Sequence, residues 1–185
     1  MRTTRRRLLR ITAALGAGLL IPRVGRTETP LHEWRGSLLG AVATIRLTHP
    51  DAAEAERILM RAAAEIERLD RTFSLYRADS TLVRLNAAGR LEAPPLDLVR
   101  LLAEAGRFHQ LTQGVFDPTV QPLWQLYADH YERTDADPAG PLVENALALV
   151  GWRNVKVESA QVTLASQGTG LTLNGIAQGY ATDRV

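Results

Sequence analysis

The chain has 185 residues, of which 45% are hydrophobic and 23% are charged, as expected for one ordinary globular domain. It has no cysteine, which excludes disulfides, thiolate metal sites and a cysteine nucleophile. Residues 1–26 hold seven arginines and no acid, which leaves 15 basic and 20 acidic residues in the rest of the chain, a balance that argues against nucleic acid as a partner of the folded part.

The amino terminus carries the pattern of an export signal. Residues 4–10 (TRRRLLR) match the twin-arginine pattern, and an apolar run follows over residues 11–21. This run is shorter than the roughly 20 residues that span a bilayer, so we predict a signal peptide at residues 1–26 and no stable membrane span. A disordered basic tail is the alternative. Because the twin-arginine route exports folded proteins, we expect a periplasmic protein, with association with the inner membrane left open.

The first elements predicted after the signal are a strand and a long helix. Residues 38–48 (LLGAVATIRLT) are apolar and end in β-branched residues, a pattern typical of a strand. Asp51 precedes apolar residues at helical spacing, which predicts an N-capped helix over residues 51–70. A short strand is predicted at residues 72–76 (TFSLY).

The middle of the chain is predicted to be mainly helical, with boundaries set by capping residues, prolines and glycines. The predicted elements are a short helix capped by Asp79-Ser80 that runs through Leu85, a loop at residues 86–90, an amphipathic helix that follows Pro94-Pro95 and ends at Gly114, and a helix over residues 120–131 whose start Pro122 can delay.

The last third is predicted to alternate between helices and short strands. A turn-rich linker at residues 135–140 and a helix over residues 143–150 precede two alternating runs, VKVE and VTLA, which predict a hairpin. A strand at residues 171–173 then turns into a helix that begins near Ile176. This order predicts the α+β class, with a mixed antiparallel sheet and packed helices.

Residues 76–86 (YRADSTLVRLN) form the first candidate binding segment. Tyr76 can stack on a flat ring, and Asn86 can bind an amide or hydroxyl edge. The alternatives are core packing for Tyr76 and a helix C-cap for Asn86.

A second candidate segment is residues 114–122 (GVFDPTVQP). Asp117 before Pro118 is typical of a helix N-cap, and a helix start also offers free N–H groups to an anion. Phe116 can be a stacking surface or a core residue.

The third candidate segment is residues 172–185 (TLNGIAQGYATDRV). Gly175 allows close approach of the backbone to a ligand, and the helix start favours phosphate. Gly175 and Gly179 can equally be packing glycines. The four histidines are not at metal-ligand spacing, and no catalytic sequence motif is present.

Taken in order, four stretches resemble the FAD:protein FMN transferases, the ApbE-like flavin transferases. They are LLGAVATIRL, ERLDRTFSLYRADSTLVRLNAAG, TQGVFDPTVQPLWQLY and LNGIAQGYATDRV, and the resemblance covers about residues 34–185. It implies a T-fold-like α+β architecture, with the amino-terminal part of the flavin transferase domain at residues 27–185. Family members continue well beyond this length, so the resemblance predicts a truncated chain that is inactive alone.

The resemblance implies a magnesium-dependent reaction. FAD would be split, AMP released, and FMN joined through its phosphate to a threonine hydroxyl of an acceptor protein in a membrane redox complex. Such phosphoryl transfer needs mainly positioning and charge neutralisation. A flavin-binding assembly factor, of the kind that serves nitrous oxide reductase, and an FAD pyrophosphatase are the alternatives.

The resemblance also implies site residues, although it identifies no catalytic residue in this chain. The family's common pattern Asp-Leu-Gly-Gly-Ile-Ala-Lys-Gly-Tyr has Thr172, Asn174 and Gln178 in place of Asp, Gly and Lys, so a pair of charges is lost on the adenosine side. The implied FAD-binding residues are Leu39, Tyr76, Asn86, Val115, Phe116, Asp117, Thr172 and Gln178, and Gly175 is the implied metal-binding position.

Overall fold

The computed structural model describes residues 29–185, and the predicted signal peptide lies outside the described residues. The chain starts with an antiparallel hairpin of β1 (Leu31–Leu38) and β2 (Ala41–Thr48). Leu39 and Gly40 connect the strands with φ values of 53° and 79°, and positive values at both positions are typical of tight hairpin turns. The strand predicted over residues 38–48 is therefore wrong at its start, because the chain reverses at Leu39-Gly40, and β1 was missed.

The long helix α1 (Ala52–Phe73) confirms the predicted amphipathic helix and extends it. The Asp51 side chain accepts hydrogen bonds from the N–H groups of Ala53 and Glu54, as an N-cap does. The strand predicted at residues 72–76 is wrong, because Phe73 belongs to the last turn of α1 and is buried there. Burial of this apolar face outweighs the β-propensity of the local sequence.

The next helix, α2 (Thr81–Ala88), is capped by the Ser80 side chain, which accepts a hydrogen bond from the Val83 N–H. It ends at Gly89, whose φ of 67° is the left-handed conformation that closes many helices. Residues 86–88 are helical and β3 (Arg90–Glu92) follows at once, so the loop predicted at residues 86–90 is wrong.

The remaining helices agree well with the sequence-based prediction. Pro122 lies in the first turn of the second of them and does not delay its start, because a helix needs no N–H group there. Asp117 caps the 3₁₀ turn Pro118–Val120, as predicted. The helices are α3 (Leu96–Leu111), α4 (Gln121–Tyr131), α5 (Gly140–Ala148) and α6 (Ala177–Arg184).

A second sheet has the strand order β3-β5-β4, with β4 (Val155–Val157) and β5 (Gln161–Leu164) forming the predicted hairpin. Residues 171–173 belong to no strand or helix among the described residues, so the third strand predicted there is wrong. The mixture of helices and antiparallel strands confirms the α+β class.

The hydrophobic core joins α1, α2, α3 and α6 to the first hairpin, the second sheet and residues 171–173. No helix within residues 29–185 is long and apolar enough to cross a membrane. The largest fully buried apolar side chains are Phe73, Leu69, Leu82, Leu85, Leu98, Leu101, Leu102, Leu171, Leu173 and Val162.

Candidate functional site

A cavity of about 710 Å³ lies between α2, α4 and residues 172–175. Its volume is in the usual range for small-molecule sites. Its lining combines two aromatic rings and four side-chain amides with a hydroxyl, a glycine and three aliphatic residues. The members with polar or aromatic groups are Tyr76, Trp124, Asn86, Gln121, Gln125, Asn174 and Thr172, and Gly175 is the glycine.

Tyr76 supplies one wall of the cavity from the loop that follows α1. Its side chain is 62% exposed, and its hydroxyl accepts a 3.4 Å hydrogen bond from the Asn174 amide. The ring lies against Gly40 of the first hairpin, where an added Cβ would come within 2.7 Å of it. The tight turn therefore supports the ring, and an exposed flat surface faces the cavity.

Trp124 is the second aromatic residue of the lining and is 55% exposed. It projects from α4 between Gln121 and Gln125, and α4 has no fully buried residue. Trp124 lies in the helix predicted over residues 120–131, but it was not among the predicted site residues. The periodicity of apolar residues carries no signal that separates a ring facing a ligand from one facing the core.

Asn86 also lines the cavity, but its amide bonds to the backbone. Its Nδ2 donates to the Leu171 carbonyl, and its Oδ1 accepts from the Leu171 N–H, both at 2.9 Å. Thr172, which follows Leu171 in the chain, donates its N–H to the Pro118 carbonyl at 2.8 Å. These contacts connect α2 to the segment that carries the opposite wall.

The predicted triplet Val115, Phe116 and Asp117 lies outside the lining. Val115 is 90% exposed, and Asp117 uses one carboxylate oxygen to accept bonds from the N–H and hydroxyl of Thr119, at 2.8 and 2.6 Å. The Phe116 ring packs behind the wall, 3.3 Å from the position of a Cβ on Gly175. The triplet thus supports the wall and does not face the cavity.

Leu39 and Gln178 also lie away from this cavity. Leu39 is buried, and its N–H donates a 2.7 Å hydrogen bond to Asp70 Oδ1. Gln178 lines a separate cavity of about 440 Å³ between the first hairpin and α6. Of the predicted residues, the structure brings together Tyr76, Asn86, Thr172 and Gly175.

The cavity lining contains no charged side chain among the described residues. No group of three or more His, Asp or Glu side chains within residues 29–185 is placed to hold a metal ion, and Gly175 can offer only its carbonyl oxygen. Mg²⁺ prefers carboxylate ligands, so these residues do not fit a magnesium site. Aromatic faces and amides do fit a flavin, whose ring system is flat and has hydrogen-bonding edges.

A network of polar contacts around the buried Asp97 holds α6 beside this site. The Tyr180 hydroxyl donates to Asp97 Oδ1, and Arg68 pairs with both Asp97 Oδ2 and Glu65 at 2.7 Å. Burial raises the pKa of Asp97, but the hydrogen bonds from Tyr180 and Arg68 outweigh burial, so its pKa is lowered overall. Burial, and then the bond to Asp97, raise the pKa of Tyr180. The network fixes the helix that follows the Asn174-Gly175 turn.

Comparison with known proteins identifies the family of the chain. The model of the ApbE family matches residues 39–185. The FAD:protein FMN transferase of Haemophilus influenzae is 26% identical over 168 residues, which are 85% of this chain and 49% of that protein. The FAD:protein FMN transferase of Vibrio cholerae is 26% identical over 176 residues, or 93% and 52%. The chain therefore spans about half the length of the curated relatives it matches.

Solved structures share the fold. The flavinyl transferase ApbE of Pseudomonas stutzeri, in its apo form, superposes with a TM-score of 0.71 at 26% identity and covers 84% of this chain and 50% of that one. The ApbE protein of Thermotoga maritima gives a TM-score of 0.72 at 28% identity, with 84% and 51% covered.

Proposed function

Because the chain belongs to the ApbE family, we propose that it provides the flavin-binding cavity of an FAD:protein FMN transferase. In this proposal, FMN moves from FAD to a threonine hydroxyl of a partner redox protein. The observation that carries the proposal is the uncharged cavity, whose lining combines Tyr76 and Trp124 with four side-chain amides. Aromatic faces and amides suit the ring system of a flavin.

The proposed reaction is a phosphoryl transfer. The threonine Oγ forms a bond to the phosphorus of the FMN half of FAD. The bond from that phosphorus to the bridging oxygen breaks, AMP leaves with that oxygen, and the hydroxyl proton is released. Reactions of this kind need positioned reactants and a counter-charge for the phosphates.

The chain's own residues would supply positioning. Tyr76 and Trp124 would hold a flat ring by stacking, and Gln121, Gln125 and Asn174 would bind its polar edges. The aliphatic part of the lining, with Leu75 and Val83, would exclude water from one side of the ring. Orientation of the flavin is therefore the role that we assign to the described residues.

We retain Mg²⁺ in the proposal because a pyrophosphate needs a counter-charge that the lining does not supply. When bound, Mg²⁺ would neutralise phosphate charge. Since the lining residues do not fit a magnesium site, the ligands of Mg²⁺ must be other groups.

The twin-arginine pattern of residues 4–10 supports a periplasmic location, where the acceptor would be a subunit of a membrane redox complex.

The test is incubation of the full-length protein with FAD, Mg²⁺ and an acceptor protein that carries the target threonine. Mass spectrometry should find a covalent FMN adduct on the acceptor and an equal amount of AMP. An acceptor with that threonine replaced by alanine is the control. If neither the FMN adduct nor AMP forms with the intact acceptor, the proposal is disproved.

A flavin-binding assembly factor is the second candidate, and the absence of a carboxylate from the described lining favours it. The same incubation separates the two functions, because an assembly factor would bind FAD without forming AMP. An FAD pyrophosphatase would form AMP and free FMN without an adduct.

A further inference from the structure

We propose that Asn86 is a positioning residue, whose amide fixes the wall formed by residues 171–175 before any ligand binds. The resemblance implied a direct contact between Asn86 and the flavin or its sugar. The hydrogen bonds of Asn86 assign a different role to this side chain. The inference deepens the proposed function and rests on it, because it concerns how the proposed flavin cavity is formed.

The amide of Asn86 is paired with one residue of the wall. Its Nδ2 donates to the Leu171 carbonyl and its Oδ1 accepts from the Leu171 N–H, both at 2.9 Å, across 85 positions of sequence. This is the pattern by which a neighbouring strand would pair. Leu171 is fully buried, so no solvent would replace these bonds if the amide were lost.

Besides the burial of Leu171 and Leu173 in the core, few other hydrogen bonds hold the wall at this end. Residues 171–173 belong to neither described sheet. The Thr172 N–H bonds to the Pro118 carbonyl at 2.8 Å, and its side chain faces the cavity. Asn86 therefore takes the place of a partner strand and sets the position of Thr172 and of the turn that follows.

The other end of the wall is anchored independently. The turn at Asn174 and Gly175 leads into α6, which Tyr180 ties to Asp97 through a 2.5 Å hydrogen bond. Loss of the Asn86 amide would therefore release one end of the wall while α6 stays in place. Such a change is local, and local opening can be measured by amide hydrogen exchange.

Direct binding of the flavin by Asn86 predicts a different experimental result. Leu171 takes up one Nδ2 hydrogen and one lone pair of Oδ1, which leaves one N–H and one acceptor lone pair for a ligand. A ligand-contacting Asn86 would change affinity without changing the ligand-free protein. A positioning Asn86 changes the ligand-free protein first.

The experiment measures hydrogen exchange of the full-length protein without FAD, comparing wild type with Asn86→Ala. We expect exchange at residues 171–175 to rise about tenfold, with no change at β4 and β5. Gln125→Ala is the matched control, because Gln125 is a lining amide whose side chain bonds only to Gln121 and Asp129, both on α4. That variant should leave exchange at residues 171–175 unchanged.

FAD binding by the same variants completes the test. If Asn86→Ala weakens FAD binding and leaves exchange at residues 171–175 unchanged, Asn86 is a ligand contact and the proposal is overturned. If Asn86→Ala does not fold, Asn86→Asp is used, since it keeps the acceptor for Leu171 and loses the donor. Failure of both variants to fold would also contradict a local role. If Asn86→Ala raises hydrogen exchange at residues 171–175 but the wild-type protein transfers no FMN, the positioning role of Asn86 stands and the proposed function is rejected.

Discussion

Tyr180 and Asp97 are 83 positions apart in the chain, and a hydrogen bond of 2.5 Å joins the tyrosine hydroxyl to Asp97 Oδ1. The Tyr180 ring packs edge-on against Phe73 of α1, with 5.6 Å between ring centroids. One side chain thus connects α6 to both α1 and α3. Because α6 follows the Asn174-Gly175 turn, this contact holds one wall of the cavity in place.

We expect Tyr180→Phe to destabilise the protein by about 1.5–3 kcal/mol, the usual value of a hydrogen bond to a charged group. The ring and its contact with Phe73 are kept, so the loss reports the hydroxyl alone. Urea unfolding measures the difference. Tyr131→Phe is the control, since Tyr131 also bonds to an aspartate, Asp137, but at an exposed site. An equal loss in both variants would contradict the special role of the buried pair.

A second prediction concerns the pH dependence of stability. The pKa of Asp97 is lower in the folded protein than the ordinary value of about 3.9, so its ionised form stabilises the fold above that pH. This stabilisation is lost as the pH falls through the folded-state pKa. The free energy of unfolding should therefore fall less steeply below about pH 4 in Asp97→Asn than in wild type. Urea unfolding between pH 3 and pH 6, with the exposed Glu104→Gln as control, measures the slopes.

Gly40→Ala should both strain the first hairpin and displace Tyr76. The backbone φ of 79° disfavours alanine, and its Cβ would lie 2.7 Å from the Tyr76 ring. We expect a loss of at least about 1 kcal/mol in stability and weaker FAD binding. Gly140→Ala is the matched control, because an added Cβ meets no atom within 4 Å there. Unchanged FAD affinity in a folded Gly40→Ala protein would show that the turn does not support the ring.

Removal of either exposed aromatic ring should weaken FAD binding. Stacking of a flat ring on an aromatic side chain is worth about 1–3 kcal/mol, so Tyr76→Ala and Trp124→Ala should each raise the Kd by roughly 5–150-fold. Quenching of flavin fluorescence on titration measures the Kd. Tyr131→Ala, on the same helix as Trp124 but outside the lining, should bind FAD as wild type does. Wild-type affinity in both cavity variants would contradict a stacking role.

Gly179→Ala should be neutral or stabilising. Gly179 lies within α6 at a position where an added Cβ meets no atom within 4 Å. Alanine favours a helix over glycine by about 0.8–1.0 kcal/mol, so the melting temperature should stay the same or rise. A clear fall in the melting temperature would show that Gly179 is a packing glycine after all.

The local parts of the fold could be predicted from the sequence because their causes are local. Asp51, Ser80 and Asp117 cap the elements that follow them, and the β4–β5 hairpin follows from alternating residues. Errors arose where distant contacts decide the outcome. Phe73 was placed in a strand because of its β-propensity, but it ends α1 because its ring is buried against the core.

The site was predictable only in part for the same reason. Tyr76 and Gly175 were candidates from the local sequence and were implied again by the family motifs, and both line the cavity. The pairing of Asn86 with Leu171 depends on a fold that brings α2 beside residues 171–173, and no local pattern encodes it. Trp124 was missed because the helical spacing of apolar residues does not show whether a ring faces a cavity or the core.

The pairing of Asn86 with Leu171 also has a consequence for protein synthesis. The cavity cannot form until Leu171 has been synthesised, 85 positions after Asn86. At the usual rate of about 5–20 residues per second, the ribosome needs roughly 4–17 seconds for that interval. During that time the apolar side chains of α2 have no partner at the unfinished wall. A nascent chain in this interval should therefore be a substrate for chaperones that bind apolar segments, and flavin binding should begin only after it.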